Sequence, residues 1–186
     1  LSIESRCIHL EHDHGENRFG AISFPIYQTA TFSHPGLGES TGYDYTRMQN
    51  PTREHLEKTV AALEKGCDCM AFSSGMAAIT TVMELFKPGD HLIADADLYG
   101  GTIRLFDHIS QKSGIEITYV NCSRDDVKAC IRENTKAVFI ETPTNPMMNV
   151  TDIEALAEIT KENHLLLIVD NTFLSPYLQN PLTLGA

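Results

Sequence analysis

Five aliphatic residues, Leu165-Leu166-Leu167-Ile168-Val169, run without a polar break into Asp170-Asn171-Thr172. Such a run predicts a strand buried on both faces, as found inside parallel sheets. Shorter apolar runs at residues 69–72, 91–94, 115–120 and 137–140 predict further strands. Between the runs, apolar positions recur with the helical period: Met76, Ile79, Met83 and Phe86, then Ile103, Phe106 and Ile109, then Val127, Cys130 and Ile131, then Ile153, Leu156 and Ala157. Two of these helices open on a capping-box pattern, Ser123-x-x-Asp126 and Thr151-x-x-Glu154. Pro88-Gly89-Asp90 and Gly114 break the pattern where a helix should return to the sheet. Repeated βα units of this length predict an α/β fold with a mainly parallel, doubly wound sheet between helices.

The first part of the chain follows another pattern. Residues 1–44 are rich in Gly, His, Ser and Pro, and their only short apolar stretch is Ala21-Ile22-Ser23-Phe24-Pro25-Ile26-Tyr27. This reads as an extended arm that needs another surface to lie on. The domain proper then occupies residues 45–186. It opens on the polar and aromatic run Tyr45-Thr46-Arg47-Met48-Gln49, followed by a helix start with Asn50 as cap and Pro51 in the first turn. Leu56, Val60 and Leu63 continue that helix until Gly66 ends it. The chain begins without methionine and stops at Leu184-Gly185-Ala186 with no closing turn or cap, so a piece of a longer polypeptide is expected.

Composition narrows the function. With 186 residues and 42% hydrophobic content the chain can fill a proper core. A formal net charge of -11 argues against a nucleic-acid or anionic-membrane partner, which would need a basic face, and leaves a small molecule as the expected partner. No apolar run reaches bilayer length and the amino terminus lacks a signal-peptide plan, so a cytoplasmic location is expected. Cys7, Cys67, Cys69, Cys122 and Cys130 are odd in number and unrelated in spacing, as reduced thiols are. His9, His12 and His14 stand close together among Glu11 and Asp13, but the segment reads as a polar arm and no metal site is expected.

If the strands are right, the residues after their carboxyl ends gather along one edge, where open α/β sheets bind ligands. They are Ser73, Ser74 and Gly75; Asp95 and Tyr99; Asn121; Glu141 to Asn145; and Asp170 to Thr172. Phe72-Ser73-Ser74-Gly75-Met76-Ala77-Ala78 is either an ordinary strand-to-helix turn or a helix N-terminus whose free N–H groups take a phosphate. It is neither G-x-G-x-x-G nor a Walker A loop, which counts against dinucleotides and nucleoside triphosphates. Tyr99, beside Gly100 and Gly101, is either a turn tyrosine or a ring presented to something flat. Glu141-Thr142-Pro143-Thr144-Asn145-Pro146 is a proline-stiffened loop. Asp170 either caps a turn or serves the chemistry. Taken together, an anion cradle, a stacking ring and a carboxylate are what pyridoxal phosphate requires: a site for its phosphate, a partner for its ring, and a countercharge for its protonated ring nitrogen.

In order along the chain, Tyr45-Thr46-Arg47-Met48-Gln49-Asn50-Pro51-Thr52, Ser73-Ser74-Gly75-Met76-Ala77-Ala78, Leu98-Tyr99-Gly100-Gly101-Thr102, Glu141-Thr142-Pro143-Thr144-Asn145-Pro146 and Val169-Asp170-Asn171-Thr172-Phe173 resemble the Cys/Met-metabolism (trans-sulfuration) family of pyridoxal-phosphate enzymes. The resemblance covers nearly the whole chain. It implies a fold-type I, aspartate aminotransferase-like large domain, truncated on its C-terminal side and without its small C-terminal domain. It also implies that Gly75 and Met76 bind the cofactor phosphate, that Tyr99 stacks on the ring, and that Asp170 pairs with the ring nitrogen. Tyr45 and Arg47 match the pair that reaches the phosphate in a neighbouring subunit, so a homotetramer with shared sites is implied. Thr172, Arg104, Glu141 and Asn145 match pocket positions. Gly101 stands where methionine γ-lyases typically carry cysteine, and the family's Schiff-base lysine lies further along than Ala186. The stretch from Gly36 to Tyr45 looks most like cystathionine γ-synthase or O-acetylhomoserine thiolyase members, with cystathionine β-lyase, cystathionine γ-lyase or methionine γ-lyase as the alternative. A fragment that binds cofactor without turnover is the reading outside that class.

Overall fold

The computed structural model of the chain describes residues 1–10 and 19–186. They form two compact units, Leu1–Ala71 and Phe72–Ala186. Of the histidine cluster near the start, His12 and His14, with Glu11 and Asp13, lie outside the described residues.

The first unit holds a single-turn helix, α1 (Ile3–Arg6), and one long helix, α2 (Pro51–Glu64). Helix α2 starts where its sequence places it. Asn50 Oδ1 accepts the Thr52 N–H at 2.9 Å, Asn50 Nδ2 donates to the Tyr27 carbonyl at 3.0 Å, and Pro51 sits where an N–H would lack a partner. Its end departs from expectation by one residue: Lys65 (φ 59°) rather than Gly66 takes the left-handed place, and the Gly66 N–H closes onto the Ala61 carbonyl at 2.9 Å. The preceding segment is tied to itself by one antiparallel bridge between Thr31 and Tyr45 and to α2 by Phe24 stacked on His55 at 4.1 Å. Phe19, Ile22, Ile26 and Leu37 stay exposed.

The second unit is the expected α/β structure. Strands β1 (His91–Asp95), β2 (Glu116–Val120), β3 (Thr135–Glu141) and β4 (Leu166–Asp170) form one parallel sheet in the order β2-β1-β3-β4. Helices α3 (Gly75–Met83), α4 (Gly100–Ser113) and α5 (Ile153–Glu162) connect to it, and a short α6 (Ser175–Leu178) follows β4. Alternation along the central strands builds two cores. Leu92, Ala94, Ala137 and Phe139 join Met83 and Phe106 in one, while Ile93, Val138 and Ile140 join Ile153, Leu156 and Leu167 in the other. Strands β1 and β3 are therefore covered on both faces, which explains their unbroken apolar runs. Phe106 meets Phe139 edge to face at 5.1 Å. Gly114 (φ 67°) ends α4 in the left-handed conformation, as its place predicted. No helix among the described residues is long and apolar enough to cross a membrane.

Four local expectations are corrected. Among the described residues strand β4 pairs with β3 alone and Leu166 is 52% exposed, so the predicted burial on both faces is not seen there. An aliphatic run reports apolarity, not position within the sheet. Residues 69–72 form no strand: none of the described strands offers a ladder, the Ala71 N–H goes to Glu57 Oε1 at 2.9 Å instead, and Met70 and Phe72 are exposed. The helix expected around Val127 is a 3-10 turn, Val127–Cys130, capped by Asp126, because Ser123 is already engaged by Asn121 Oδ1 at 2.7 Å. Helix α5 is capped by Asp152, which accepts the Ala155 N–H at 3.0 Å, while the Thr151 N–H turns away to Thr142 Oγ1 at 3.0 Å. Competition from Asn121 accounts for the first cap; at α5 the Thr151 hydroxyl is buried with no hydrogen bond among the described residues and Asp152 takes the cap.

At the amino edge of the sheet His91 is fully buried, with Nδ1 2.7 Å from Thr135 Oγ1 and Nε2 2.9 Å from Thr118 Oγ1. Burial lowers its pKa, and Arg132 lowers it further against the smaller opposing effect of Glu116. A folded-state value below the unfolded one near 6.5 means that the unfolded chain takes up the proton first as pH falls. His91 thus contributes stability that is complete above about pH 6.5 and is lost as pH falls through its folded-state pKa, at no more than about 1.4 kcal/mol per pH unit. Urea midpoints should fall between pH 6.5 and 5, and His91→Gln should flatten that fall; an equally steep fall in the variant would assign it to other groups.

Candidate active site

The carboxyl edge of the sheet is built by three strand ends. After β1 the chain passes Asp95, 2% exposed, whose pKa is raised by burial while the Asp97 N–H donates to its Oδ1 at 3.1 Å. Leu98 then anchors in the core, and Tyr99 begins α4 without a side-chain cap, its ring about half exposed. The ring lies back over Gly101. A Cβ there would stand 2.4 Å from Tyr99 Cε1 and 3.0 Å from Met76 Sδ, so only glycine leaves the ring that place and the start of α3 lies beside it.

After β3 comes Glu141, 5% exposed, whose Oε2 accepts the Tyr99 N–H at 2.8 Å. Burial pushes its pKa up and the negative charge of Asp170 adds to this, against the hydrogen bonds of the Tyr99 and Asn145 N–H groups. The loop that follows is tied to the β1 loop a second time: Asp97 Oδ2 accepts from the Thr144 hydroxyl and from Asn149 Nδ2 at 2.9 Å. Asp170 closes β4 directly beside Glu141 in the strand register. Its Oδ1 accepts the Thr172 N–H at 3.0 Å and the Thr172 hydroxyl at 2.5 Å, and Oδ2 takes no hydrogen bond among the described residues. Asn171 and Gln179 hold the turn beyond by reciprocal bonds of 2.9 Å.

The turn before α3 has the geometry of a capped helix N-terminus. Ser74 caps α3, accepting the Ala77 N–H at 3.1 Å, and leaves the N–H groups of Gly75 and Met76 without partners among the described residues. Nothing lies within 4 Å of where a Cβ on Gly75 would project, so a bound group can reach those donors. Arg104, one turn into α4, is exposed and forms no ion pair among the described residues; its Nη1 stands 3.5 Å from a Cβ placed on Gly100.

The second unit thus brings together Gly75, Met76, Tyr99, Arg104, Glu141, Asn145, Asp170 and Thr172. Tyr45 and Arg47 belong to the first unit, where the Arg47 guanidinium lies 5.0 Å from the centre of the Tyr45 ring. Asn121 forms a turn at the end of β2, the far edge strand, and takes no part. Sequence reasoning passed over Asp97 and Gln179; the position of Asp97 between two candidates in one loop was the available signal. None of the second unit's lysines stands at this edge: Lys87 precedes β1, Lys136 begins β3, Lys112 and Lys161 end helices, and Lys128 pairs with Glu162 at 2.8 Å.

An exposed pair of helix N–H donors, a half-exposed aromatic ring and a carboxylate with one oxygen unengaged meet at the carboxyl edge of a parallel sheet, and their chemistry fits pyridoxal phosphate. This is the arrangement of an α/β protein that holds a phosphorylated aromatic cofactor. The family model described as Cys/Met metabolism PLP-dependent enzyme matches residues 4–186, and the chain belongs to that family. Pyridoxal phosphate is accordingly its cofactor. Over 168 residues, 90% of this chain and 45% of the relative, it is 56% identical to the cystathionine gamma-synthase/O-acetylhomoserine (thiol)-lyase of Bacillus subtilis. It is 53% identical over 173 residues, 92% of this chain and 46% of the relative, to cystathionine gamma-lyase of the same organism. The crystal structure of metB from Corynebacterium glutamicum superposes with a TM-score of 0.94 at 46% identity, covering 100% of this chain and 49% of that one. The chain spans about half the length of these relatives.

Proposed function

We propose that the protein to which this chain belongs is a trans-sulfuration enzyme that performs γ-replacement on an activated homoserine, as a cystathionine γ-synthase or O-acetylhomoserine thiolyase does. The observation that carries this choice is the 56% identity to a relative with both activities in its name. When bound, pyridoxal phosphate supplies an electron sink for the negative charge that develops on the substrate's carbon. Within this reading, the N–H groups of Gly75 and Met76 receive the phosphate, the Tyr99 ring stacks on the cofactor ring, and Asp170 Oδ2 holds a proton on the ring nitrogen. Thr172 keeps Asp170 aimed by occupying Oδ1. Arg104 and Asn145 line the substrate side. Tyr45 and Arg47 serve the phosphate of a neighbouring subunit, so that sites are shared within a dimer and two such dimers form a homotetramer, with residues 1–44 as an arm and 45–186 as the cofactor domain. Its setting is the cytoplasm.

Elimination, by a cystathionine β- or γ-lyase, is the second reading, favoured by the 53% identity to such a lyase. The full-length protein decides between the two. Supplied with O-acetylhomoserine and cysteine, it is expected to form cystathionine with a kcat/KM at least about tenfold above that for release of a 2-oxo acid from cystathionine. The reverse ratio assigns the lyase reaction.

A further inference from the structure

We propose that Glu141 is the positioning residue of this site: its side chain sets where the Tyr99 ring stands relative to Asp170, without itself contacting the cofactor ring. The inference rests on the reading that this edge holds pyridoxal phosphate. Glu141 ends β3, a strand paired on both sides; its own register partner is Asp170 of β4, and the ladder to β1 stops two residues earlier at Phe139. Its side chain is almost wholly buried, and a buried carboxylate persists only where donors compensate the loss of water. One such donor is the Tyr99 N–H at 2.8 Å. The Tyr99 hydroxyl has no hydrogen bond among the described residues, so the polar hold on this residue is through its backbone, and the N–H bond to Glu141 connects it directly to the centre of the sheet.

The register explains why two adjacent carboxylates take different roles. Glu141 and Asp170 are strand partners and project from the same face of the sheet. Glu141 is engaged with the Tyr99 backbone, whereas Asp170 keeps Oδ2 open. One carboxylate therefore places the ring's stacking partner, and its neighbour remains for the ring nitrogen. The second tie between the same two loops, through Asp97 with Thr144 and Asn149, holds the loops together without reaching Tyr99, so the Glu141 contact can be removed separately.

The test uses the full-length protein. Glu141→Met fills similar volume but offers no acceptor, while Glu141→Gln keeps an oxygen for the same N–H. Equilibrium binding of pyridoxal 5'-phosphate and the induced circular dichroism of the bound cofactor are measured beside the melting temperature. Glu141→Met is expected to bind about tenfold more weakly with altered dichroism, and Glu141→Gln to stay within about threefold of the parent. In a Tyr99→Ala background, Glu141→Met should add less than about threefold, because the residue acts through Tyr99. A full tenfold loss in that background overturns the proposal, as does a Glu141→Gln protein that binds as weakly as Tyr99→Ala; the latter result decides the matter if Glu141→Met does not fold. Asp170→Ala separates the two levels. If it retains full affinity and unaltered dichroism, the cofactor site itself is misplaced and the role of Glu141 falls with it; if it loses them, the Glu141 results stand on their own.

Discussion

In the full-length protein, Asp170→Ala is expected to lower kcat by at least about a thousandfold while the protein remains folded. The residue ends β4 and, among the described residues, its side chain bonds only to Thr172, two positions on, so removing it leaves both cores untouched. What is lost is the charge facing the ring nitrogen. Without it the proton there is no longer favoured, and the ring accepts electrons poorly. Steady-state kinetics with either substrate set, together with a melting curve, check this. A folded variant within tenfold of the parent would remove Asp170 from the chemistry. Mixing this variant with Arg47→Ala should restore a fraction of active sites, since a hybrid dimer can assemble one pocket with both residues intact. No recovery despite demonstrated subunit exchange would place Arg47 outside a shared site.

Gly75→Val should weaken pyridoxal phosphate binding by about a hundredfold or more without lowering the melting temperature appreciably. Here the structure makes the test clean. Gly75 has an ordinary φ and nothing lies within 4 Å of the new Cβ, so valine meets no clash in the protein itself. Its methyl groups would instead fill the space through which an anion reaches the Gly75 and Met76 N–H groups. Equilibrium dialysis of cofactor against the variant measures the loss. Unchanged affinity in a folded protein would move the phosphate away from this helix end. The contrast with Gly101 is informative: there a Cβ collides with the Tyr99 ring, so a substitution would disturb the ring as well as the backbone.

Much of this was legible in the residue order because the causes are local. Alternating strand and helix periods dictated the parallel sheet, and β1 and β3 show the unbroken aliphatic runs that burial on both faces demands. Asn50-Pro51 and Gly114 marked helix ends through backbone preferences that need no distant partner. Tyr99 and Asp170 could be named because each follows or ends a strand on the same edge, a placement that topology alone implies, and Gly75 because small residues open a helix there. Only the tertiary structure decided which of two capping side chains wins at α5 and that, among the described residues, 69–72 pair with no strand while the most apolar run of all pairs on one side alone. It also separated Glu141 from Asp170. In sequence they are two acidic residues at strand ends. Which one is occupied by a backbone N–H from a loop 42 positions away, and which keeps an oxygen open, depends on strand register and loop closure. Those are long-range pairings that no local pattern encodes.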